Sequence, residues 1–418
     1  MALLPIFVFI VLFVGSGIIT GDFYLMPTTM AFLVALFVAL QQNKNFSFEQ
    51  KLVVAASGAG DVNIITMCII YLLAGVFSAV VTAAGGVTST VNFALSIIPV
   101  DFAVTGLFLM GCFISLAMGT SCGTIAALAP ISVDIAAKTG YNPAMCIGAV
   151  VCGAMFGDNL SLISDTTIAA VRTQGCEMSD KFKANFKIVL PAAIATVLIF
   201  YSISSGNAYV ANNDLQYNVI QIVPYMLILV GALFGINVFA LLGGGTIVSV
   251  MVGLGTGSFT ASNILGLTGK GLSGMNEISI IAILAACISS LVRMNGGFKW
   301  ILDCVQGKVG GYKGGQFGIG ALVLMMDLAT ANNTIAIVLA APLAKQIAQT
   351  FKISAKRSAS LLDIFSSVGQ GLIPYGAQLL SAAALTGLTP LVIMPYLYYP
   401  ILMLVCVVAY ILMSKEGE

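Results

Sequence analysis

Along the chain, apolar runs of membrane-crossing length alternate with short polar or glycine-rich segments. Runs 4–20, 23–41, 63–83 and 187–204 occupy the first half, and runs 215–231, 234–252, 274–294 and 391–412 the second. A helix crossing a bilayer needs about 20 apolar residues, so each half is expected to open with three spans and close with one. The opening run has no basic segment ahead of it and leads directly into another apolar run, so it reads as a span and not as a leader. Between the third run and the closing run, each half carries shorter and more polar stretches.

The order of features repeats. Gly85-Gly86 answers to Gly296-Gly297, Thr124-Ile125-Ala126 to Thr334-Ile335-Ala336, Pro130 to Pro342 and Gly157 to Gly369, at a shift of about 211 residues. Residues 1–205 therefore form one repeat: scaffold 1–83, an amphipathic arm 85–101, a re-entrant hairpin 102–138, a discontinuous helix 141–172 and a closing helix 187–204. A linker, 206–218, separates it from the second repeat, 219–418: scaffold 219–295, arm 296–313, hairpin 314–349, discontinuous helix 354–388 and closing helix 391–412. The hairpin halves are too short and too tightly joined for full spans, with tips at Gly119-Thr120-Ser121-Cys122-Gly123 and Ala331-Asn332-Asn333.

Three spans, one broken span and a closing span make an odd number of crossings per half, so the second half is expected to be inverted. Charge tests that count. With the N-terminus inside, every lysine and arginine except Lys138 and Lys270 falls on the interior side, as the positive-inside rule requires. Residues 202–218 hold no lysine or arginine and suit an exterior linker. On this count both termini are interior. Arg172, Arg293 and Arg357 map to interior span ends or loops, so no buried cation is expected to await a carboxylate substrate.

Composition agrees. The chain is 59% hydrophobic and 8% charged, with a mean hydropathy of +1.05, whereas soluble domains carry about 25% charged residues. Helices this poor in charge face lipid or one another. With 17 basic and 16 acidic residues, nothing points to a nucleic-acid partner. The nine cysteines lack metal-ligand spacing and read as small packing residues. No resident cofactor is expected.

The polar cluster in the middle of the first discontinuous helix, Gly157-Asp158-Asn159-Leu160-Ser161-Leu162-Ile163-Ser164-Asp165-Thr166-Thr167, sets two carboxylates, an amide and four hydroxyls inside an apolar neighbourhood. Membrane-embedded carboxylates are costly and mark function. Carboxylate, hydroxyl and carbonyl oxygens are the ligands of a small hard cation such as sodium. Asp158, Asn159, Ser161 and Asp165, with Thr120, Ser121 and Thr124 from the first hairpin tip, form the expected cation site. The second half offers a neutral counterpart for an ion or solute: Asn332, Asn333, Thr334, Gln370, Pro374, Tyr375 and Gln378. Asp134, Asp327 and Asp363 lie singly in the hairpins or the second broken segment. There is no histidine, so proton coupling would run through carboxylates, with Asp158 and Asp165 the candidates. The structural alternative is that hydroxyls glue helices together while the aspartates bond neighbouring backbone.

Inverted repeats with hairpins and broken helices are transporter architecture. At the polar cluster the chain resembles the NhaC-type sodium/proton antiporters, whose signature runs Gly-Asp-x-x-Ser-Pro-x-Ser-Asp-Thr-Thr; Leu162 stands where that family has proline. Gly119-Thr120-Ser121-Cys122-Gly123-Thr124 is similar to the family's Gly-Thr-Ser-x-Gly-Thr. The Ala331-Asn332-Asn333-Thr334 tip is similar to the Ser-Asn-Thr tips of the wider ion-transporter superfamily, which includes sodium-coupled carboxylate symporters. The resemblance implies a non-enzymatic transporter of the bacterial inner membrane, a scaffold with mobile transport domains, a homodimer, and sodium and protons as partners. The alternative it leaves is sodium-coupled import of an amino acid or small organic acid. An intramembrane aspartyl protease, prompted by Gly58-Ala59-Gly60-Asp61, lacks the Tyr-Asp pair that chemistry needs.

Overall fold

The computed structural model describes residues 2–20, 26–97, 99–162, 164–205, 215–234, 236–306 and 310–415. All regular structure among them is helical. The first half holds α1 (Leu4–Thr20), α2 (Thr28–Gln41), α3 (Phe48–Ala59), α4 (Val62–Ala83), α5 (Gly86–Ile97), α6 (Ala103–Met118), α7 (Ser121–Thr139), α8 (Pro143–Leu160), α9 (Asp165–Gln174) and α10 (Met178–Ser204). The second holds α11 (Val219–Leu233), α12 (Val238–Gly255), α13 (Ile264–Gly274), α14 (Asn276–Met294), α15 (Gly297–Gln306), α16 (Gly311–Thr330), α17 (Asn333–Thr350), α18 (Ala355–Leu372), α19 (Ala377–Thr386), α20 (Pro390–Ile393) and α21 (Tyr398–Met413). Among the described residues, six segments, including Ile64–Ala83, Met178–Ser204 and Val238–Gly255, are long and apolar enough to cross a bilayer. The chain is an all-α polytopic membrane protein.

Local sequence explains where helices stop. At the first hairpin tip, Gly119 closes α6 with a left-handed φ of 68°, and the Thr120 hydroxyl accepts the Gly123 N–H to start α7. At the second, Ala331 takes the same left-handed turn at φ 52° and the Asn332 side chain caps α17. A β-carbon in that region is strained, so the second tip stores strain that glycine spares the first.

The first discontinuous helix separates into α8 and α9, the second into α18 and α19. The first break forms without the proline of the NhaC signature: Ser161 and Ser164 both take extended backbone, and the Ser164 hydroxyl caps α9 by accepting the Thr167 N–H. At the second, Pro374 lies between Ile373 and Gly376, both again extended.

Two short helices, α3 and α13, were not foreseen, because each is brief and interrupted by glycine. The glycines are the reason they pack. A Cβ on Gly58 would stand 2.1 Å from Ser290 Oγ of α14, and one on Gly271 would stand 2.4 Å from the Gly75 carbonyl of α4. Gly58 of the protease-like tetrapeptide is thus a packing residue. The closing helix α10 begins at Met178 and not near 187, and its added first turn carries Lys181 into the protein. The 391–412 run divides into α20 and α21. Of the linker 206–218, residues 206–214 lie outside the described residues, as do Ile163 and Lys308.

A close helix crossing seats the site. α6 and α8 meet along Gly111, Gly153 and Gly157; a Cβ on Gly153 would lie 2.1 Å from the Phe108 carbonyl, and one on Gly157 2.5 Å from that of Cys112. Small residues let membrane helices approach closely, and here they bring Ser115 Oγ within 2.5 Å of the Ala154 carbonyl it donates to. Because the obstructing atoms are backbone, Gly153→Ala must push α8 away from α6. The expected result is a destabilisation of at least about 1–3 kcal/mol, the usual cost of overpacking, read as a lower unfolding temperature of the purified protein.

Candidate functional site

The two hairpin tips and the two helix breaks converge on one cavity of about 90 Å³. Its wall holds residues in pairs the same distance apart along the chain: Thr120 and Asn332, Ser121 and Asn333, Cys122 and Thr334, Asp158 and Gln370, Asp165 and Ala377, and Thr166 and Gln378. Thr66, Met67 and Ile70 of α4 close it. The N-termini of α7, α9, α17 and α19 all open onto it.

Asp158 is its deepest charge, 8% exposed. Among the described residues its carboxylate accepts one hydrogen bond, from Ser121 Oγ at 3.2 Å, and Ser121 Oγ in turn accepts Gln378 Nε2 at 2.9 Å. A three-residue chain therefore links α8, the first hairpin tip and the second broken helix. Asp165, in the first turn of α9, is exposed at the cavity mouth. Among the described residues, no lysine or arginine lines the cavity.

The other expected ligands lie elsewhere. Asn159, one residue past Asp158 and so turned about 100° around the helix, faces α21 and donates to Tyr399 Oη at 3.0 Å. Thr124 is satisfied by the Thr120 carbonyl at 2.9 Å, and the Ser161 carbonyl accepts Thr167 Oγ1 at 2.8 Å. In the second half, Pro374 shapes the break without lining the cavity. Tyr375 points away, donating to the Leu328 carbonyl at 2.9 Å and packing edge-on against Phe9 with ring centres 5.0 Å apart. Gln370 lines the cavity and donates to the Ala331 carbonyl at 3.3 Å, tying the second break to the second tip.

One cation is nevertheless buried just behind the cavity, paired with an acid. Lys181, counted among interior loop residues, is 1% exposed. Its ammonium lies 2.8 Å from Asp363 Oδ2 and donates to the Asn159 carbonyl at 3.0 Å and to Thr167 Oγ1 at 2.6 Å. Asn185, one turn on, donates to the same Asn159 carbonyl at 2.9 Å and to Asp363 Oδ2 at 2.7 Å. The Asn159 carbonyl at the first break is thus held by α10 just behind Asp158. The signal was present in the pattern: Lys181, Asn185, Ile188 and Ala192 share one face of α10, the face that is buried. Arg357 is buried too, its Nε donating to Gln316 Oε1 at 2.7 Å and its guanidinium 3.9 Å from the Tyr410 ring centre. Of the single acids, Asp134 pairs with Lys138 at 2.6 Å. Asp327 is fully buried beside Gly369, with no hydrogen-bond partner for either oxygen among the described residues.

A polytopic helical protein with two hairpin tips and two broken helices meeting at a small oxygen-lined cavity is a membrane transporter in kind. The chain belongs to the Na+/H+ antiporter family, whose pattern matches residues 1–205 and 207–415. It is 31% identical over 147 residues to the Na(+)/H(+) antiporter NhaC of Alkalihalophilus pseudofirmus, covering 35% of this chain and 32% of that protein. It is 30% identical over 172 residues to NhaC of Bacillus subtilis, covering 40% and 38%. A third relative, the malate-2H(+)/Na(+)-lactate antiporter of Bacillus subtilis, is 25% identical over 175 residues, covering 42% and 37%. These alignments span about a third of each relative's length. Among solved structures, Neisseria gonorrhoeae MtrF overlays with a TM-score of 0.45 at 11% identity, covering 93% of this chain and 95% of that one. That likeness is too loose to bear on function.

Proposed function

We propose that this protein exchanges sodium for protons across a bacterial inner membrane by alternating access. In this reading the two halves are inverted repeats and both termini face the cytoplasm, as the sidedness of lysine and arginine supports. The observation that carries the proposal is Asp158: a buried carboxylate with one neutral hydrogen-bond donor, facing a cavity of about 90 Å³ walled by hydroxyl and amide groups. That space suits an ion and little more, against about 300–1,000 Å³ for pockets that enclose organic ligands. An uncompensated buried carboxylate is unfavourable, so it takes either a proton or a metal ion, and competition for one site couples the two fluxes.

Sodium is placed against Asp158, Ser121 and Thr120, with Asn332 and Asn333 as neutral oxygen donors from the second tip and Asp165 gathering cations at the mouth. Four helix N-termini also open onto the cavity, each worth about 0.3–1 kcal/mol to a nearby negative charge. The hairpins and broken helices move against the scaffold spans, with α5 and α15 as the arms.

Those same positive helix ends favour a second reading, coupled movement of a small carboxylate, and one relative's name includes malate and lactate. The absence of lysine and arginine from the cavity wall weighs against it. Proteoliposomes given a sodium gradient and no organic solute discriminate the two: an antiporter moves protons, reported by a trapped pH dye. Proton flux that appears only after an amino acid or organic acid is added would establish the second reading.

A further inference from the structure

The first break is two-sided. Asp158 and Thr166 line the cavity of about 90 Å³, whereas the residues that follow them, Asn159 and Thr167, do not and instead hold the ammonium of Lys181. Each step along a helix turns the side chain by about 100°, so neighbours in sequence serve different sides.

What surrounds that ammonium has the composition of a cation site. Each ammonium hydrogen has one acceptor: the Asp363 carboxylate at 2.8 Å, the Asn159 carbonyl at 3.0 Å and the Thr167 hydroxyl at 2.6 Å. The carbonyl belongs to the last turn of α8, where helical partners run out. The hydroxyl donates its own hydrogen to the Ser161 carbonyl at 2.8 Å and so offers a lone pair to Lys181. Carboxylate, carbonyl and hydroxyl oxygens are the ligands of a hard metal ion, and an ammonium group is close to a potassium ion in size. Lys181, Asp363, Asn159, Thr167 and Asn185 are all at most 1% exposed.

Further oxygens stand by. Asp363 Oδ1 and Asn185 Oδ1 are buried with no hydrogen-bond partner among the described residues. The Asn185 amide donates to the Asn159 carbonyl at 2.9 Å and to Asp363 Oδ2 at 2.7 Å, the same oxygens that hold the ammonium. Turning that amide over would set its oxygen beside them, an arrangement that a metal ion between the oxygens makes favourable.

We infer that α8, α9, α10 and α18 enclose a monovalent-cation site that this chain fills with its own side chain, the Lys181 ammonium standing where sodium or potassium would sit. Tethered to α10, this cation cannot diffuse away. The position behind Asp158 therefore takes no part in exchange, and the first break is left with a single open position, at Asp158 itself. That last step rests on the sodium reading of Asp158; the site around Lys181 does not.

The test empties the site. Lys181→Ala removes the ammonium and leaves the oxygens, and it is made in an Asp158→Asn background so that the cavity in front no longer takes up cations. The full chain is purified in detergent, and its unfolding temperature is followed against sodium, potassium and choline chloride at constant ionic strength. Asp158→Asn alone is expected to respond to none of them. With Lys181→Ala added, sodium or potassium is expected to raise the unfolding temperature by an equal step for each tenfold in concentration above the dissociation constant. Choline, too large for the site, is expected to have no effect, and adding Asp363→Asn is expected to cancel the response. If the Lys181→Ala protein precipitates in choline, it is purified in sodium or potassium throughout and the salt is then exchanged. Precipitation on exchange into choline alone supports the site, and precipitation in all the salts overturns it. A soluble variant indifferent to sodium and potassium, or one whose response survives Asp363→Asn, overturns it as well. A sodium response in Asp158→Asn alone counts against the proposed function and not against this site, which then stands or falls on the response that Lys181→Ala adds.

Discussion

Asp158→Asn is expected to abolish sodium-dependent proton exchange while the protein still inserts and unfolds cooperatively. The amide keeps the shape of the carboxylate and can still accept the Ser121 hydrogen bond, so the fold has little reason to fail. What disappears is the charge. Losing one partner of a buried charge pair costs about 3–5 kcal/mol, so sodium affinity should fall by more than about a hundredfold. No other acid replaces it, because Asp165 stands at the exposed mouth. The same competition predicts a pH effect in the wild type: as pH falls, protons occupy the carboxylate and the sodium concentration for half-maximal exchange rises, with the maximal rate less affected. Radioactive sodium uptake across a pH series measures both. Wild-type exchange in Asp158→Asn would remove this residue from the mechanism.

The second large effect belongs to Lys181 and Asp363. Lys181→Met leaves the Asp363 carboxylate buried with only the neutral Asn185 donor, and the expected loss of stability is about 3–5 kcal/mol. It also releases the Asn159 carbonyl that holds the first break behind Asp158, so sodium transport should weaken with stability. Removing both charges, as Lys181→Met with Asp363→Leu, is expected to recover much of the stability, since replacing a buried pair by apolar groups is often neutral or better. Transport should stay impaired, because the break has lost its anchor. Unfolding temperatures of the two single variants and the double variant form the cycle that isolates the coupling. Additive losses would show that the two charges stabilise the protein independently.

Much of this architecture is visible in one dimension because the bilayer imposes it. Long apolar runs become helices, since hydrocarbon leaves the backbone no other partner. The breaks announce themselves as Asp158 to Thr167 and Gly369 to Gln378, where polar side chains or proline and glycine interrupt such runs. Even the missing proline at Leu162 mattered little, because Ser161 and Ser164 supply extended backbone and a cap. Short helices were harder: α3 and α13 exist through glycine contacts with α14 and α4 that no local pattern reports.

The sequence by itself determined the class of protein, the places where its helices break, and Asp158 and Asp165 together as the acids to watch. Only the tertiary structure decided which neighbours of Asp158 share its cavity. Asn159, Thr124 and Tyr375 turn elsewhere, because rotation about a helix and competition from nearby carbonyls are settled by packing. It also decided that Lys181 is an internal cation and not a loop charge. Hydropathy assigns a lysine to water by default, and only a partner such as Asp363, 182 positions away in the chain, makes burial affordable.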